Sequence, residues 1–363
     1  VFALPFVLLS GVCGVLADRY SKRAIVVLSK VLEVAAMLLG ALAFASGSLV
    51  ALMAVLSLMG AQSAFFGPAK YGILPELFRP SDLPRANGLM LMTTFVSIIL
   101  GITLAGYLTQ NLAGRLWLAS VACIAIAVLG TATALPIRRT PIAHPGLAIS
   151  WDSLAIPAEA RRLLWGHPTF LAVLAATSVF WCVGGVYQQG VNDLGILQLG
   201  IGEKQTGILG ACAAIGIAIG CVAAGKLSQG RFEARLVIAG QWGMIACLTL
   251  LSLPGPLRGN TLLGVAGAGL VLVALGASAG VFAVPLTVFL QALTPSGQKG
   301  QMIGVMNLVN WIGILASGLL HLGGSRLLAA LKLPPNLIFL VGAGLLIPLV
   351  VWYRPVSREL TIT

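Results

Sequence analysis

The chain has 363 residues, 58% hydrophobic and 9% charged, with a mean hydropathy of +1.01. Soluble domains are nearer ~45–50% apolar and ~25% charged. The composition therefore excludes an ordinary soluble enzyme, a disordered chain and a disulfide scaffold, and leaves a polytopic helical membrane protein. The formal charge of +12 then reads as topology, because Lys and Arg collect in cytoplasmic loops, and no nucleic-acid partner is expected. Long continuous apolar runs also exclude the alternating pattern of a transmembrane barrel.

Eleven apolar runs predict spanning helices, with cores near 1–17, 24–46, 49–68, 88–108, 116–136, 169–190, 205–225, 236–253, 261–290, 303–322 and 336–353. Each approaches the roughly 20 residues that a bilayer core requires, and only helices satisfy every backbone polar group inside such runs. The loops between them sort into two sets. One holds Arg19, Lys22 and Arg23, then Lys70, Arg79 and Arg85, then Arg138, Arg139, Arg161 and Arg162, then Lys226, Arg231 and Arg235, then Lys299, Arg354 and Arg358. The other holds only Arg115, Lys204, Arg258, Arg326 and Lys332. This roughly threefold bias places the first set, and the C-terminus, in the cytoplasm.

The longest loop, 137–168, is rich in Pro and Arg, carries an amphipathic stretch between Trp151 and Trp165, and separates five runs from six. Gly-Val-Leu-Ala-Asp-Arg at 14–19 echoes Cys-Val-Ala-Ala-Gly-Lys at 221–226, which aligns run 1–17 with run 205–225 and leaves 169–190 unmatched. The expected fold is all-α and polytopic, with two pseudo-symmetric six-helix halves. These are 1–136 and 169–363, joined by the cytoplasmic loop 137–168, with one further N-terminal span expected ahead of Val1.

Three groups of residues carry chemical information. The turn after the first run places Gly14, Asp18, Arg19, Lys22 and Arg23 at fixed spacing. Its glycine permits close helix approach, its acid at a helix end needs a donor, and its basic residues hold the loop in the cytoplasm. Further on, Phe65-Phe66-Gly67-Pro68-Ala69-Lys70-Tyr71-Gly72-Ile73-Leu74-Pro75-Glu76 is followed by Ala86-Asn87-Gly88-Leu89. Here Gly67-Pro68 is expected to break the helix, and Lys70 and Tyr71 suit the membrane interface. The third group is polar and intramembrane. Lys30 and Glu33 share a helix face at roughly mid-bilayer depth, as a self-neutralising pair that packs helices or as contacts in a polar cavity. Gln188, Gln189 and Asn192 either line an outward mouth or enter an outer loop with Asp193. Asn307 and Asn310 share a face beside Trp311, as cavity lining or as interhelical hydrogen-bonding groups.

The first group matches the major facilitator superfamily signature G-x-x-x-D-R-x-x-[KR]-[KR], and the second resembles the bacterial lysophospholipid transporter branch of that superfamily. Phe180-Trp181 and Gly280-Val281-Phe282-Ala283-Val284-Pro285-Leu286 add to this likeness. The run from Gly304 to Trp311 is similar to versions fused to an acyltransferase acting on 2-acylglycerophosphoethanolamine. The resemblance implies a conformational latch at Asp18 and Arg19. It also implies inward transfer of a lysophospholipid, such as lysophosphatidylethanolamine, by alternating access in a bacterial inner membrane, for reacylation by a cytoplasmic acyltransferase domain or partner. Lys30 would suit the headgroup phosphate and Glu33 the ammonium. The sequence departs from the pattern at Gly225, where the second-half acid would stand, and at Gln188 and Gln189, near which some members carry an Arg.

A proton-coupled exporter of amphiphiles, with Glu33 as its protonation site, is the alternative reading. The membrane portion of a fused acyltransferase is another. No enzymatic activity, cofactor or metal is expected. Cys13, Cys123, Cys182, Cys212, Cys221 and Cys247 all lie in apolar runs, as small hydrophobes do. His144, His167 and His321 have no companion ligands, and neither a P-loop nor a His-x4-Asp acyltransferase signature is present.

Overall fold

The computed structural model describes residues 1–112, 115–149, 151–154, 156–255 and 262–360; Arg258 lies outside them. The helices are α1 (Leu4–Arg19), α2 (Lys22–Ser46), α3 (Leu49–Gly72), the short α4 (Leu74–Leu77), α5 (Leu83–Asn111), α6 (Trp117–Ala134), α7 (Ala158–Gly166), α8 (Pro168–Asp193), α9 (Glu203–Leu227), α10 (Ala234–Ser252), α11 (Gly264–Leu293), α12 (Lys299–Ala330) and α13 (Ile338–Trp352). Ten segments among the described residues are long and apolar enough to cross a membrane. The eleventh expected span, α1, has only 16 residues. At 1.5 Å per residue it covers about 24 Å, short of a roughly 30 Å hydrocarbon core.

Two compact units arise. One contains Val1–Arg79, Leu100–Phe170 and Leu293–Trp311, and the other Pro80–Ile99, Leu171–Ala292 and Ile312–Thr363. Within the first, α2 packs against α3 and α6, and α1 against α3. Its apolar centre holds Phe6, Cys13 and Ala64, covered by Phe2, Phe65 and Trp311, with Phe6 stacked on Trp311 at 4.3 Å between centroids. Within the second, Gly216 and Gly220 of α9 face Gly276 and Gly280 of α11 so closely that a Cβ on Gly280 would lie 2.6 Å from the Ile217 carbonyl oxygen. Small residues let membrane helices approach to backbone contact, where dispersion replaces the missing hydrophobic drive. Large apolar side chains such as Leu42, Leu129, Leu270 and Leu319 remain exposed, as faces solvated by lipid require.

Pro68 does not end its helix. α3 runs through it to Gly72, contrary to the expected break at Gly67-Pro68. A proline interrupts only one backbone bond, and in apolar surroundings keeping the remaining bonds outweighs a full break. The interruption falls instead at Ile73, from which α4 starts.

Candidate functional site

In the first unit three of the expected latch residues, Gly14, Asp18 and Lys22, gather around the start of α12, while Arg19 and Arg23 point to other partners. Asp18, at the end of α1, is fully buried. Its Oδ1 accepts the Gly300 N–H at 2.8 Å and its Oδ2 the Gln301 N–H at 2.9 Å. These are the second and third residues of α12, whose amides have no partner within their own helix. The carboxylate therefore caps a helix to which it is not joined, at the end where the helix dipole favours negative charge. Gly14, one turn earlier, makes the approach possible, since a Cβ there would lie 2.7 Å from the Gly300 carbonyl oxygen.

Lys22 is buried beneath this cap, 3.7 Å from Asp18 Oδ1 and 2.5 Å from Glu76 Oε1. Gly72 leaves the passage that its stem needs, because a Cβ at that position would stand 3.0 Å from Lys22 Cε. Arg23 acts elsewhere. Its Nε donates to the Ile137 carbonyl at 2.7 Å and its Nη2 to the Leu135 carbonyl at 2.8 Å, satisfying groups at the C-terminal end of α6. Arg19 lies over the Tyr20 ring. Of the second group, Pro68 is buried inside α3 and Lys70 sits over the ring of Tyr71 at 5.2 Å.

Lys30 and Glu33 pair with each other at 2.7 Å, each side chain about one fifth exposed. The ammonium also lies 4.9 Å from the centroid of Phe66 on α3, and a Cβ at Gly130 of α6 would meet its stem. Asn307 stands against Gly67. Asn310 is buried, and its Oδ1 has no partner in the structure.

In the second unit, Asn87 and Gln291 exchange two hydrogen bonds, 2.6 and 3.0 Å, with both side chains fully buried. Gly88 beside it faces the Cys221 carbonyl and Gly225 of α9, and a Cβ on Gly225 would lie 3.0 Å from the Pro84 carbonyl oxygen. A side chain at 225 would thus press on the backbone at Pro84 and Arg85, a tight fit that suits glycine where the first half carries an acid. Gln188 lines a cavity of about 170 Å³ with Phe95, Phe180, Trp181 and Tyr187. Gln189 turns back to the Gly185 carbonyl at 3.4 Å. Asn192 is exposed. Asp193 belongs to the last turn of α8, where it pairs with His321 of α12 at 3.2 Å.

Sequence reasoning does not single out Glu76, Gln291, Gly300 or Gln301. A polar amide within the 30-residue apolar α11 is a signal for Gln291, because such groups need partners in lipid. The backbone amides of residues 300 and 301 offer no signal at all, since every helix has such a start.

Ten segments of bilayer length among the described residues, with few charges inside them, define a helical multi-pass membrane protein. The profile described as Major Facilitator Superfamily matches residues 1–318, and the chain belongs to that superfamily of transporters. It is 30% identical over 315 residues, 85% of this chain and 72% of the relative, to a protein of Yersinia pestis named lysophospholipid transporter LplT. A protein of the same name from Yersinia pseudotuberculosis matches to the same extent. Among solved structures, the transporter FucP in the outward conformation superposes with a TM-score of 0.74 at 12% identity, covering 98% of this chain and 88% of that one. The proton:xylose symporter XylE gives a TM-score of 0.74 at 12% identity, covering 99% and 85%. At that identity the likeness concerns the fold alone.

Proposed function

We propose that this transporter moves a lysophospholipid across a bacterial inner membrane by alternating access, delivering it for reacylation on the cytoplasmic side. The observation that carries the reading is the 30% identity over 315 residues to relatives named lysophospholipid transporters. The functional halves are 1–136 and 169–363 about a cytoplasmic segment 137–168, with the C-terminus in the cytoplasm and an acyltransferase domain or partner on that side. The apolar, aromatic-walled cavity beside Gln188 suits an acyl chain with a polar group at one end. Lys30 and Glu33 serve the phosphate and ammonium of the headgroup, exchanging their mutual ion pair for two new ones. Gln189 and Asn192 in the second unit, and Asn307 and Asn310 in the first, are the further candidate contacts for its polar groups. The Asp18 cap on α12, with Gly14 and Lys22, is the latch that holds one state closed, because its two charge-assisted bonds must break before α1 and α12 separate; Arg19 and Arg23, from the same turn, act in the latch by holding the loop beside it.

The test is transfer of labelled lysophosphatidylethanolamine between the leaflets of vesicles that contain the purified protein. Protein-dependent transfer, reduced about tenfold or more in Glu33→Gln by loss of a charged hydrogen bond, is expected. Vesicles with and without protein that transfer lipid at the same rate would overturn the reading.

A further inference from the structure

Among the described residues between α6 and α8 lies the α-helix α7, whose two faces differ sharply. On one face Ala160 and Leu164 are buried, and Glu159 accepts a 2.8 Å hydrogen bond from Gln301 Nε2. The backbone of the same glutamine is held by Asp18. The opposite face follows the i, i+3, i+4, i+7 spacing of one helical surface and consists of Ala158, Arg161, Arg162 and Trp165, all exposed. Trp165 is 80% exposed, although a nine-residue helix with a buried side had the option of turning an indole inward.

Two guanidinium groups beside an outward indole form a recognisable chemical pairing. Guanidinium groups bind phosphate oxygens in a planar, two-pronged manner, and an indole suits the headgroup level of a bilayer, apolar in body with one N–H to hydrogen-bond. The helix also stands in the right place. It ends at Gly166, and the spanning helix α8 starts at Pro168. The preceding span, α6, leads into exposed Arg138 and Arg139, so both spans that border the segment meet arginines on the same side. Glu159, locked onto Gln301, fixes the rotation of the helix and keeps the basic, aromatic face outward.

We propose that α7 is a docking helix for anionic phospholipid headgroups of the adjoining leaflet, with Arg161 and Arg162 binding phosphate and Trp165 seated among the headgroups. This rests on reading the chain as a membrane transporter with 137–168 at the bilayer surface; it does not depend on the transported substrate.

The experiment places the full chain in nanodiscs of phosphatidylcholine, with or without phosphatidylglycerol, and follows amide hydrogen exchange across 158–166 by mass spectrometry. Phosphatidylglycerol is expected to slow exchange there by about tenfold, given the attraction of two arginines to an anionic surface. Raised salt should weaken the effect. The Arg161→Gln/Arg162→Gln variant should abolish it while exchange in the spanning helices stays as in the parent chain, and Trp165→Ala should reduce it. Equal exchange in both lipids, slowing that survives in the double variant, or slowing that requires an added soluble protein would each overturn the proposal. The readout needs no transport, so absence of lysophospholipid transfer with α7 still protected would count against the transport reading and leave this one standing.

Discussion

Asp18 illustrates how one side chain can hold two distant parts of a chain together. Its carboxylate supplies the missing acceptors for the amides of Gly300 and Gln301, while Lys22, between it and Glu76, offsets the cost of burying the charge. Replacing an N-cap acid with alanine typically costs about 0.5–2 kcal/mol, and here the change also leaves two buried N–H groups unpaired. Asp18→Ala is therefore expected to lower the thermal midpoint of the purified protein, and Asp18→Asn to lower it less because one acceptor oxygen remains. A thermal scan of the three proteins decides this, and an unchanged midpoint in the alanine variant would remove the cap from the account. The neutral pair Asn87–Gln291 makes a second residue-scale prediction. Either alanine substitution orphans a buried amide, so each single change should cost about as much as the double one. The coupling, about 0.5–3 kcal/mol in a double-mutant cycle, would be near zero if the two bonds did not matter.

At the scale of elements, the segment after α13 is fastened to the start of α10 by a side chain rather than by a long strand. Arg231–Phe232 and Arg358–Glu359 form a two-residue antiparallel ribbon that is too short to be stable alone. It is reinforced by Ser357, whose hydroxyl donates to Glu233 Oε1 at 2.9 Å and accepts the Ala234 N–H at 3.0 Å. The hydrogen bond from Ser357 holds the Glu233 carboxyl below its ordinary range, with Arg231 and Arg235 acting in the same direction. A carboxyl whose folded value is depressed contributes stability above its unfolded value, near 4.3, and that contribution is lost as pH falls through the folded value. Hydrogen exchange in the ribbon should thus be slower in the parent chain than in Glu233→Gln at neutral pH. The difference should close as the solution is acidified below the glutamate range, and one that persists there would assign the effect to something other than the charge.

Some of the contacts made by the candidate residues are legible at this scale because they follow from spacing. Lys30 and Glu33 at i,i+3 meet as the helix period requires, and Arg23, read as a topology signal, also lies within reach of the end of α6. The helix through Pro68 was not legible. Whether a proline breaks a helix depends on what surrounds it, and a local reading of Gly67-Pro68 carries no information about Asn307 packed beside it.

For the whole molecule, the Lys30–Glu33 pair offers the sharpest separation between two roles. If the pair only packs α2 against its neighbours, replacing both residues with glutamine removes two opposite charges together and leaves lysophospholipid transfer near the parent rate. If the residues contact the headgroup, the double variant keeps a thermal midpoint close to that of the parent, since removing both members of an ion pair leaves no uncompensated charge, yet transfers lipid slowly. Measuring transfer and thermal midpoint on the same preparation distinguishes these outcomes, and the headgroup role predicts the second.

Sequence alone determined that this is a helical, multi-pass transporter of the Major Facilitator Superfamily, because hydropathy, span length and the Gly14-to-Arg23 turn are local properties that survive in a one-dimensional reading. It also showed that residue 225 lacks the acid carried at 18. Tertiary structure decided what each of those residues touches: that Asp18 caps α12, that Asn87 finds Gln291, that Gly225 packs against the backbone at Pro84, and that α7 turns Trp165 outward. The physical reason is that backbone amides and close-packed glycines are chemically alike along the whole chain. Only the approach of one helix to another distinguishes the ones that matter.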